Sequence, residues 1–150
     1  ESLDPVVTPD GLRLPLRRAT GRRPDARPVL LLHGASASGD TFVVPRGAGL
    51  VDDLVAAGFD VFVFDWRASR VVTETLVDVP RERFPSASCD DVARWDLPCA
   101  VRRIGELLVA EGSARPLGVV AHCMGAACLA MAVGAVVANA HAGGRLADLA

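Results

Sequence analysis

The sequence predicts an α/β fold with a doubly wound, mostly parallel sheet. Short apolar runs at 29–32 and 61–64, and the valine-rich start of 116–137, are typical of buried strands, and segments with helical spacing alternate with them. Hydrophobic residues make up 51% of the 150 residues, which suits a sheet that helices cover on both faces. A chain of this length predicts one domain.

The first third of the chain predicts two strands. Residues 12–16 (LRLPL) alternate apolar and polar side chains after an Asp-Gly turn signal, and their proline favours a sheet edge. A loop rich in Gly, Arg and Pro follows over 19–28. Residues 29–32 predict a central parallel strand that ends at His33-Gly34, before a loop of small residues.

The next part predicts a helix and a third strand. Residues 50–57 have helical spacing and stop at a glycine, which is a common helix end. Residues 61–64 predict a buried strand that closes on Asp65-Trp66-Arg67. We expect 70–88 to form an irregular loop or small insertion over one end of the sheet.

A long helix is predicted over 88–110. Ser88 and Asp91 form a capping-box pattern at its start, and a glycine follows its end. Pro98 interrupts the pattern, so we expect a kink or a split near Asp96.

The stretch 116–137 (PLGVVAHCMGAACLAMAVGAVV) predicts a strand, a tight turn and an alanine-rich helix. This is the layout of a nucleophile elbow, in which a sharp turn holds the central side chain clear of the sheet. The positions two before and two after the centre must be small, and Ala121 and Gly125 meet this requirement around Cys123. The backbone N–H of Met124 would point to where negative charge develops in acyl transfer.

Cys123 is therefore a candidate nucleophile, because a thiolate attacks carbonyl carbon and a helix N-terminus stabilises thiolates. Two alternatives stay open at this point. In the first, Cys123 is an inert buried thiol. In the second, 117–138 forms a membrane span of about 20 apolar residues. Three glycines, the His-Cys pair and the change from valine to alanine argue against the span.

The candidate residues follow the predicted strands. Ligands of doubly wound sheets bind beyond the carboxyl ends of the strands, and both His33-Gly34 and Cys123 come at such ends. Ala35 is placed to give a second oxyanion N–H beside that of Met124.

The remaining polar residues have predicted supporting roles. We expect His33 to brace its loop by hydrogen bonding, and His122 to point away from the nucleophile and pack nearby. Asp65 would anchor a loop, with Arg67 as its partner. Asp96 would be a helix residue beside the kink.

Charge and cysteine patterns disfavour several classes of function. The formal net charge of −2 gives no electrostatic case for nucleic acid, and prolines and glycine interrupt the arginine cluster at 17–27. The four cysteines lack metal-binding spacing, so we expect no metal and no cofactor. No leader pattern opens the sequence, and we expect reduced thiols and a cytoplasmic protein.

Together the motifs resemble the N-terminal part of α/β-hydrolase fold enzymes. The motifs on which the resemblance rests are LHGAS at 32–36, GFDV at 58–61, DWR at 65–67, DDVARWDLP at 90–98 and AHCMG at 121–125. More narrowly, they resemble the acid-lipase-like branch. The cysteine elbow is similar to that of polyhydroxyalkanoate synthases, and to hydrolase-like domains that accompany sterol-oxidase-like flavoproteins. The resemblance covers residues 10–138.

The resemblance implies an acyl-enzyme mechanism, with Cys123 attacking a lipid-like ester or thioester and Met124 and Ala35 holding the oxyanion. A hydrolase is the first reading. An acyltransferase of polyhydroxyalkanoate-synthase type, or a non-catalytic hydrolase-like binding domain, is the alternative.

In these enzymes a carboxylate and then a histidine follow the nucleophile. His141 and Asp148 come after Cys123, but neither has fitting surroundings, so we expect the acid and the histidine beyond residue 150. Residues 1–150 would then be the N-terminal part of a single hydrolase domain. We expect such a part to be inactive alone and to need its C-terminal half, or a partner chain, to complete the sheet.

Overall fold

A computed structural model describes residues 1–20, 25–75 and 87–141 of the chain. The strands are β1 (Val6–Val7), β2 (Arg13–Leu14), β3 (Leu16–Thr20), β4 (Arg27–Leu32), β5 (Phe59–Phe64) and β6 (Gly118–Ala121). The helices are α1 (Leu50–Ala56), α2 (Arg70–Glu74), α3 (Cys89–Asp91), α4 (Leu97–Ala110) and α5 (Met124–His141), with a 3-10 turn at Gly39–Phe42 and a π-helical turn at Val92–Asp96. This order confirms the predicted α/β class.

The main sheet has four strands in the order β3-β5-β4-β6. β4 is parallel to both β5 and β6, whereas β3 runs antiparallel to β5 at the edge. Leu32 pairs with Phe64 on one side and with Ala121 on the other. The carboxyl ends of the three parallel strands therefore share one edge of the sheet, where the candidate residues follow them.

Helices cover both faces of this sheet. Val29 and Leu31 of β4 pack in one core with Phe42 of the 3-10 turn and Val51 of α1. The alternate residues of β4 and β5 form a second core with Ile104 of α4. Because successive side chains of a strand point to opposite faces, this division places α1 on one face and α4 and α5 on the other. The fold is doubly wound, as predicted.

The predicted edge strand at 12–16 is divided by its proline. Pro15 separates β2 from β3, and its carbonyl oxygen accepts a hydrogen bond from the backbone N–H of Asp65 at 3.0 Å. β3 then runs to Thr20, into the predicted loop, because it pairs with β5 along its whole length. An ion pair between Arg18 and Asp60, at 2.6 Å, joins the two strands.

The kink or split predicted near Asp96 takes the form of a π turn, which interrupts the α-helical pattern without breaking the helix. The helical path continues through the π turn, in which the N–H of Leu97 bonds to the carbonyl of Val92, five residues back. Pro98 is the second residue of α4, directly after this π turn. The capping box is present, since the Ser88 hydroxyl accepts from the N–H of Asp91 at 3.2 Å.

The segment predicted as irregular, 70–88, begins with the short helix α2. The hydroxyl of Ser69 caps it by accepting from the N–H of Val71 at 3.3 Å. Residues 76–86 lie outside the described part of the chain, so the expected loop or insertion stays a prediction there.

The β6 edge of the sheet and the adjacent helix α5 are largely exposed among the described residues. β6 pairs with β4, and no described residue pairs with its other edge. Val120 of β6 is 42% exposed, and α5 exposes four large apolar side chains, Met131, Val133, Val136 and Val137. No described helix, including α5, is long and apolar enough to span a membrane.

Candidate active site

Cys123 lies on a sharp turn between β6 and α5. Its φ angle is +54°, in the left-handed region that side-chain-bearing residues rarely adopt. The N–H of His122 still bonds to the carbonyl of Leu32 at 2.9 Å, and the N–H of Gly125 already bonds to the carbonyl of His122 at 3.0 Å. The chain thus passes from strand to helix within two residues, and the Cys123 side chain is left exposed.

Two glycines allow this turn to lie against the loop that follows β4. A Cβ at Gly125 would lie 2.5 Å from the carbonyl oxygen of His33, and 3.1 Å from that of Leu32. A Cβ at Gly34 would lie 3.1 Å from the Cβ of Cys123. The His-Gly loop and the elbow are therefore in direct contact: the backbone leaves no room for a Cβ at Gly125, and a Cβ at Gly34 would be tightly packed.

Two backbone N–H groups close to Cys123 belong to Met124 and Ala35. Within the described residues, neither the N–H of Met124 nor that of Ala35 has a hydrogen-bond acceptor. Met124 begins α5, and Ala35 follows the glycine that touches Cys123. An oxyanion hole requires two such backbone donors near the nucleophile, so Met124 and Ala35 remain the candidates for that role.

His33 braces the loop that carries Ala35. Its Nδ1–H donates to the carbonyl of Gly34 at 2.7 Å, and its ring stacks on Trp66 with centroids 5.1 Å apart. The indole N–H of Trp66 in turn donates to the His33 carbonyl at 3.2 Å. Burial lowers the pKa of His33, so its imidazole stays neutral. The predicted bracing role agrees with these contacts.

Asp65 anchors two loops at the same end of the sheet. Its buried carboxylate accepts hydrogen bonds from the backbone N–H of Gly39 at 2.8 Å and from the Ser69 hydroxyl at 2.7 Å. Its cationic partner is Arg17, at 3.2 Å. The expected pairing with Arg67 is wrong, because that guanidinium points elsewhere.

Arg67 is buried and instead binds two other carboxylates, buried Asp96 and exposed Asp10. Its Nη2 lies 2.8 Å from Asp96 in the π turn, and its Nη1 lies 2.9 Å from Asp10 in the β1–β2 turn. Asp96 also accepts from the backbone N–H of Arg67 at 3.0 Å. Asp96 is thus more than a residue beside a kink: it fixes the π turn to the end of β5. Asp96 lies on an otherwise apolar helix face, and a buried charge requires a partner. That position was the signal in the sequence that could have identified Asp96 as part of an ion pair.

The two remaining histidines do not complete a catalytic set here. His122 is exposed rather than packed, with its Nδ1 3.1 Å from the position of a Cβ on Gly34. No described carboxylate hydrogen bonds to it. His141 is the last residue of α5. Over the same described ranges, no cluster of His, Cys, Asp and Glu side chains has the arrangement of a metal site.

Two comparisons with known proteins agree with this geometry. Residues 29–149 match the family described as the alpha/beta hydrolase family. The fold is similar to that of the esterase Pf2001 of Pyrococcus furiosus, with a TM-score of 0.60 and 23% identity over 85% of this chain and 44% of that chain. It is also similar to a putative aryl esterase of Burkholderia cenocepacia, with a TM-score of 0.50 and 15% identity over 90% of this chain and 42% of that chain.

The chain therefore spans less than half the length of either esterase. No curated protein matches it in sequence. The family match covers most of the 150 residues, and the sheet order, the elbow and the His-Gly loop are consistent with it. This chain belongs to the alpha/beta hydrolase family.

Proposed function

We propose that the protein hydrolyses ester or thioester bonds of lipid-like acyl substrates through an acyl-enzyme on Cys123. The observation that carries this proposal is the combination of left-handed backbone and exposed thiol at Cys123. A side-chain-bearing residue in that conformation costs about 1–2 kcal/mol, and such strain is concentrated at functional sites. Cys99 and Cys128, by contrast, are buried.

The reaction follows from the donors around the thiol. The Cys123 thiolate attacks the acyl carbonyl carbon, and the N–H groups of Met124 and Ala35 bind the oxygen that becomes negative. The intermediate collapses, and the alcohol or thiol leaves with a proton from a histidine. Water, activated by the same histidine, then cleaves the acyl–sulfur bond and restores the thiol.

The histidine and its carboxylate are proposed to lie beyond residue 150, in a C-terminal half or on a partner chain. Three observations support this: the outer edge of β6, which no described strand pairs with, the exposed apolar side of α5, and the greater length of the two esterases. The 150 residues alone would then be inactive. The lipid-like substrate class rests on the resemblance to the acid-lipase-like branch. Because a catalytic thiol must stay reduced, we place the protein in the cytoplasm.

Alkylation of the complete protein with iodoacetamide at neutral pH tests the activation of Cys123. Exposure alone makes a thiol react no faster than it does in the denatured chain. We therefore expect Cys123 to react faster in the folded protein than in the same protein in denaturant, and faster than buried Cys99 and Cys128, as read by peptide mass spectrometry. An equal or slower rate in the folded protein would contradict the proposal.

Acyl transfer is tested with a p-nitrophenyl ester and a matched thioester. Rapid quenching should trap an acyl group on Cys123 of the complete protein, and the Cys123→Ala variant should show neither the adduct nor turnover. If acyl-Cys123 forms but passes to an added hydroxyacyl acceptor in preference to water, the protein is an acyltransferase of polyhydroxyalkanoate-synthase type.

A non-catalytic binding domain is the second candidate. It is favoured by one observation: His33 is buried beside Asp65 and uses its Nδ1–H to bind the Gly34 carbonyl, and no described carboxylate hydrogen bonds to exposed His122. Failure of the complete protein to form any acyl-Cys123, with ligand binding retained, would establish that candidate.

A further inference from the structure

Two thiols outside the proposed active site lie against each other. Cys89 is the first residue of α3, and Cys128 lies in the second turn of α5. The two helices pack together, and Cys89 lies against the core cluster that contains Cys128. Cys89 lies close enough to Cys128 to help raise the pKa of the Cys128 thiol. The two sulfur atoms are therefore neighbours across a helix–helix contact.

We propose that Cys89 and Cys128 form a reversible disulfide when the protein meets a peroxide. The half-buried Cys89 sulfur attacks one peroxide oxygen, the O–O bond breaks, and water leaves a sulfenic acid on Cys89. The Cys128 sulfur then attacks the Cys89 sulfur, the S–O bond breaks, and the Cys128 proton leaves with that oxygen as a second water. In sum, two thiols lose two electrons and two protons, and the peroxide is reduced to two waters.

The exposures of the two sulfur atoms assign these roles. Cys128 has no exposed surface, so a dissolved oxidant reaches Cys89 first. Burial, together with the neighbouring Cys89, raises the pKa of Cys128 to about 12, which keeps it a protonated thiol until its neighbour has been oxidised. The other buried thiol, Cys99, accepts from Arg102 at 3.7 Å and has no cysteine beside it in the described structure.

The Cys89–Cys128 disulfide would connect the helical segment that begins at α3 with the helix that follows the elbow. Cys89 opens the helical path that leads through the π turn into α4, and Cys128 lies on the helix that follows Cys123. A cross-link here constrains the unfolded chain and fixes α3 on the elbow helix, so the oxidised protein should unfold at a higher temperature.

The test treats the complete protein with hydrogen peroxide, alkylates the remaining thiols in denaturant, and maps peptides without reduction. We expect a peptide pair joined through Cys89 and Cys128, two hydrogen atoms lighter than the separate peptides and released by dithiothreitol. Cys99 should stay alkylated. The same cross-link should form in the Cys123→Ser variant, because the exposed thiol takes no part.

Cys89→Ser is the informative variant, since Cys89 is only partly buried and its replacement leaves the core intact. It should abolish the cross-link and the rise in unfolding temperature, whereas Cys99→Ser should retain both. The proposal is overturned if Cys89 is found joined to Cys123 or to another chain. It is also overturned if Cys89 and Cys128 both remain free at peroxide doses that fully oxidise Cys123.

Discussion

Gly125 packs its α-carbon directly on the carbonyl oxygen of His33, so that a Cβ at that position would lie 2.5 Å from this oxygen. The obstacle is backbone, as is the Leu32 carbonyl 3.1 Å away, and backbone atoms of a central strand do not move aside. This contact holds the start of α5 against the end of β4. It therefore sets the distance between the thiol and the loop that carries Ala35.

Replacing Gly125 with alanine should push the elbow away from the His-Gly loop. We expect Gly125→Ala to lower the free energy of unfolding by about 1–3 kcal/mol, the usual cost of overpacking, and to reduce acylation of Cys123 more than tenfold. Urea unfolding and the acyl-trapping assay measure the two effects.

Gly134→Ala is the matched control on the same helix. A Cβ at Gly134 meets no other atom within 4 Å, so the substitution should stabilise the protein by up to about 1 kcal/mol through helix propensity alone. If both variants change stability in the same direction, the contact with His33 does not decide the outcome at Gly125.

The left-handed backbone at Cys123 predicts an inverted preference between alanine and glycine. Glycine adopts positive φ without strain, so Cys123→Gly should be more stable than Cys123→Ala by about 1 kcal/mol, although neither variant can form an acyl-enzyme. At Ala126, inside α5, replacement by glycine should instead destabilise by about 1 kcal/mol. Thermal unfolding of the three variants checks the sign at each position.

Replacing Asp96 with asparagine should lower stability strongly, although the two side chains have nearly the same size and shape. Asp96→Asn leaves the buried Arg67 guanidinium without its nearest charge, and we expect a loss of about 3 kcal/mol. The control is Glu74→Gln, which removes the exposed partner of Arg70 at 3.1 Å and should change stability by less than about 0.5 kcal/mol. Similar losses in urea unfolding of the two variants would show that burial adds nothing to the Arg67 pair.

The sequence allowed the turn at Cys123 and the strand ends beside it to be predicted, because local rules decide their structure. The small residues around Cys123 predict a tight turn, and the short apolar runs before His33 and Asp65 predict buried strands. Together these predictions locate the sheet edge and the residues that lie along it. These rules concern residues that are close together in the sequence, so the spacing of apolar and small residues shows them directly.

What the sequence did not predict depends on distant partners. The Arg67 guanidinium turns away from neighbouring Asp65 toward Asp96 and Asp10, which only the folded chain brings near. The expected kink or split near Asp96 is a π turn, because the Leu97 N–H bonds to the carbonyl five residues back and continues the helix up to the residue before Pro98. The hydrophobic residues here are spaced as in an α-helix. Their spacing therefore does not reveal a change from hydrogen bonds four residues back to one five residues back.

The buried imidazole of His33 predicts a pH dependence of stability. Its pKa in the folded protein is lowered from 6.5 by burial, with Arg17 lowering it further, against opposing contributions from the Gly34 carbonyl and Asp65. Below pH 6.5 the unfolded chain therefore binds a proton that the folded chain does not. Stability is complete above pH 6.5 and falls as the pH decreases toward the folded-state pKa, by at most about 1.4 kcal/mol per pH unit.

The comparison is between the native protein and His33→Asn, whose amide can still donate to the Gly34 carbonyl but does not titrate. Loss of the ring contact with Trp66 lowers the stability of the variant by the same amount at every pH. Carboxylates such as Asp40, whose pKa the Arg17 hydrogen bond holds below 3.8, lose their contribution only at more acid pH and do so in both proteins. The difference in unfolding free energy should therefore shrink from pH 7 to pH 5 in urea titrations. A difference that stays constant over this range would mean that His33 binds its proton equally well in the folded and unfolded chains.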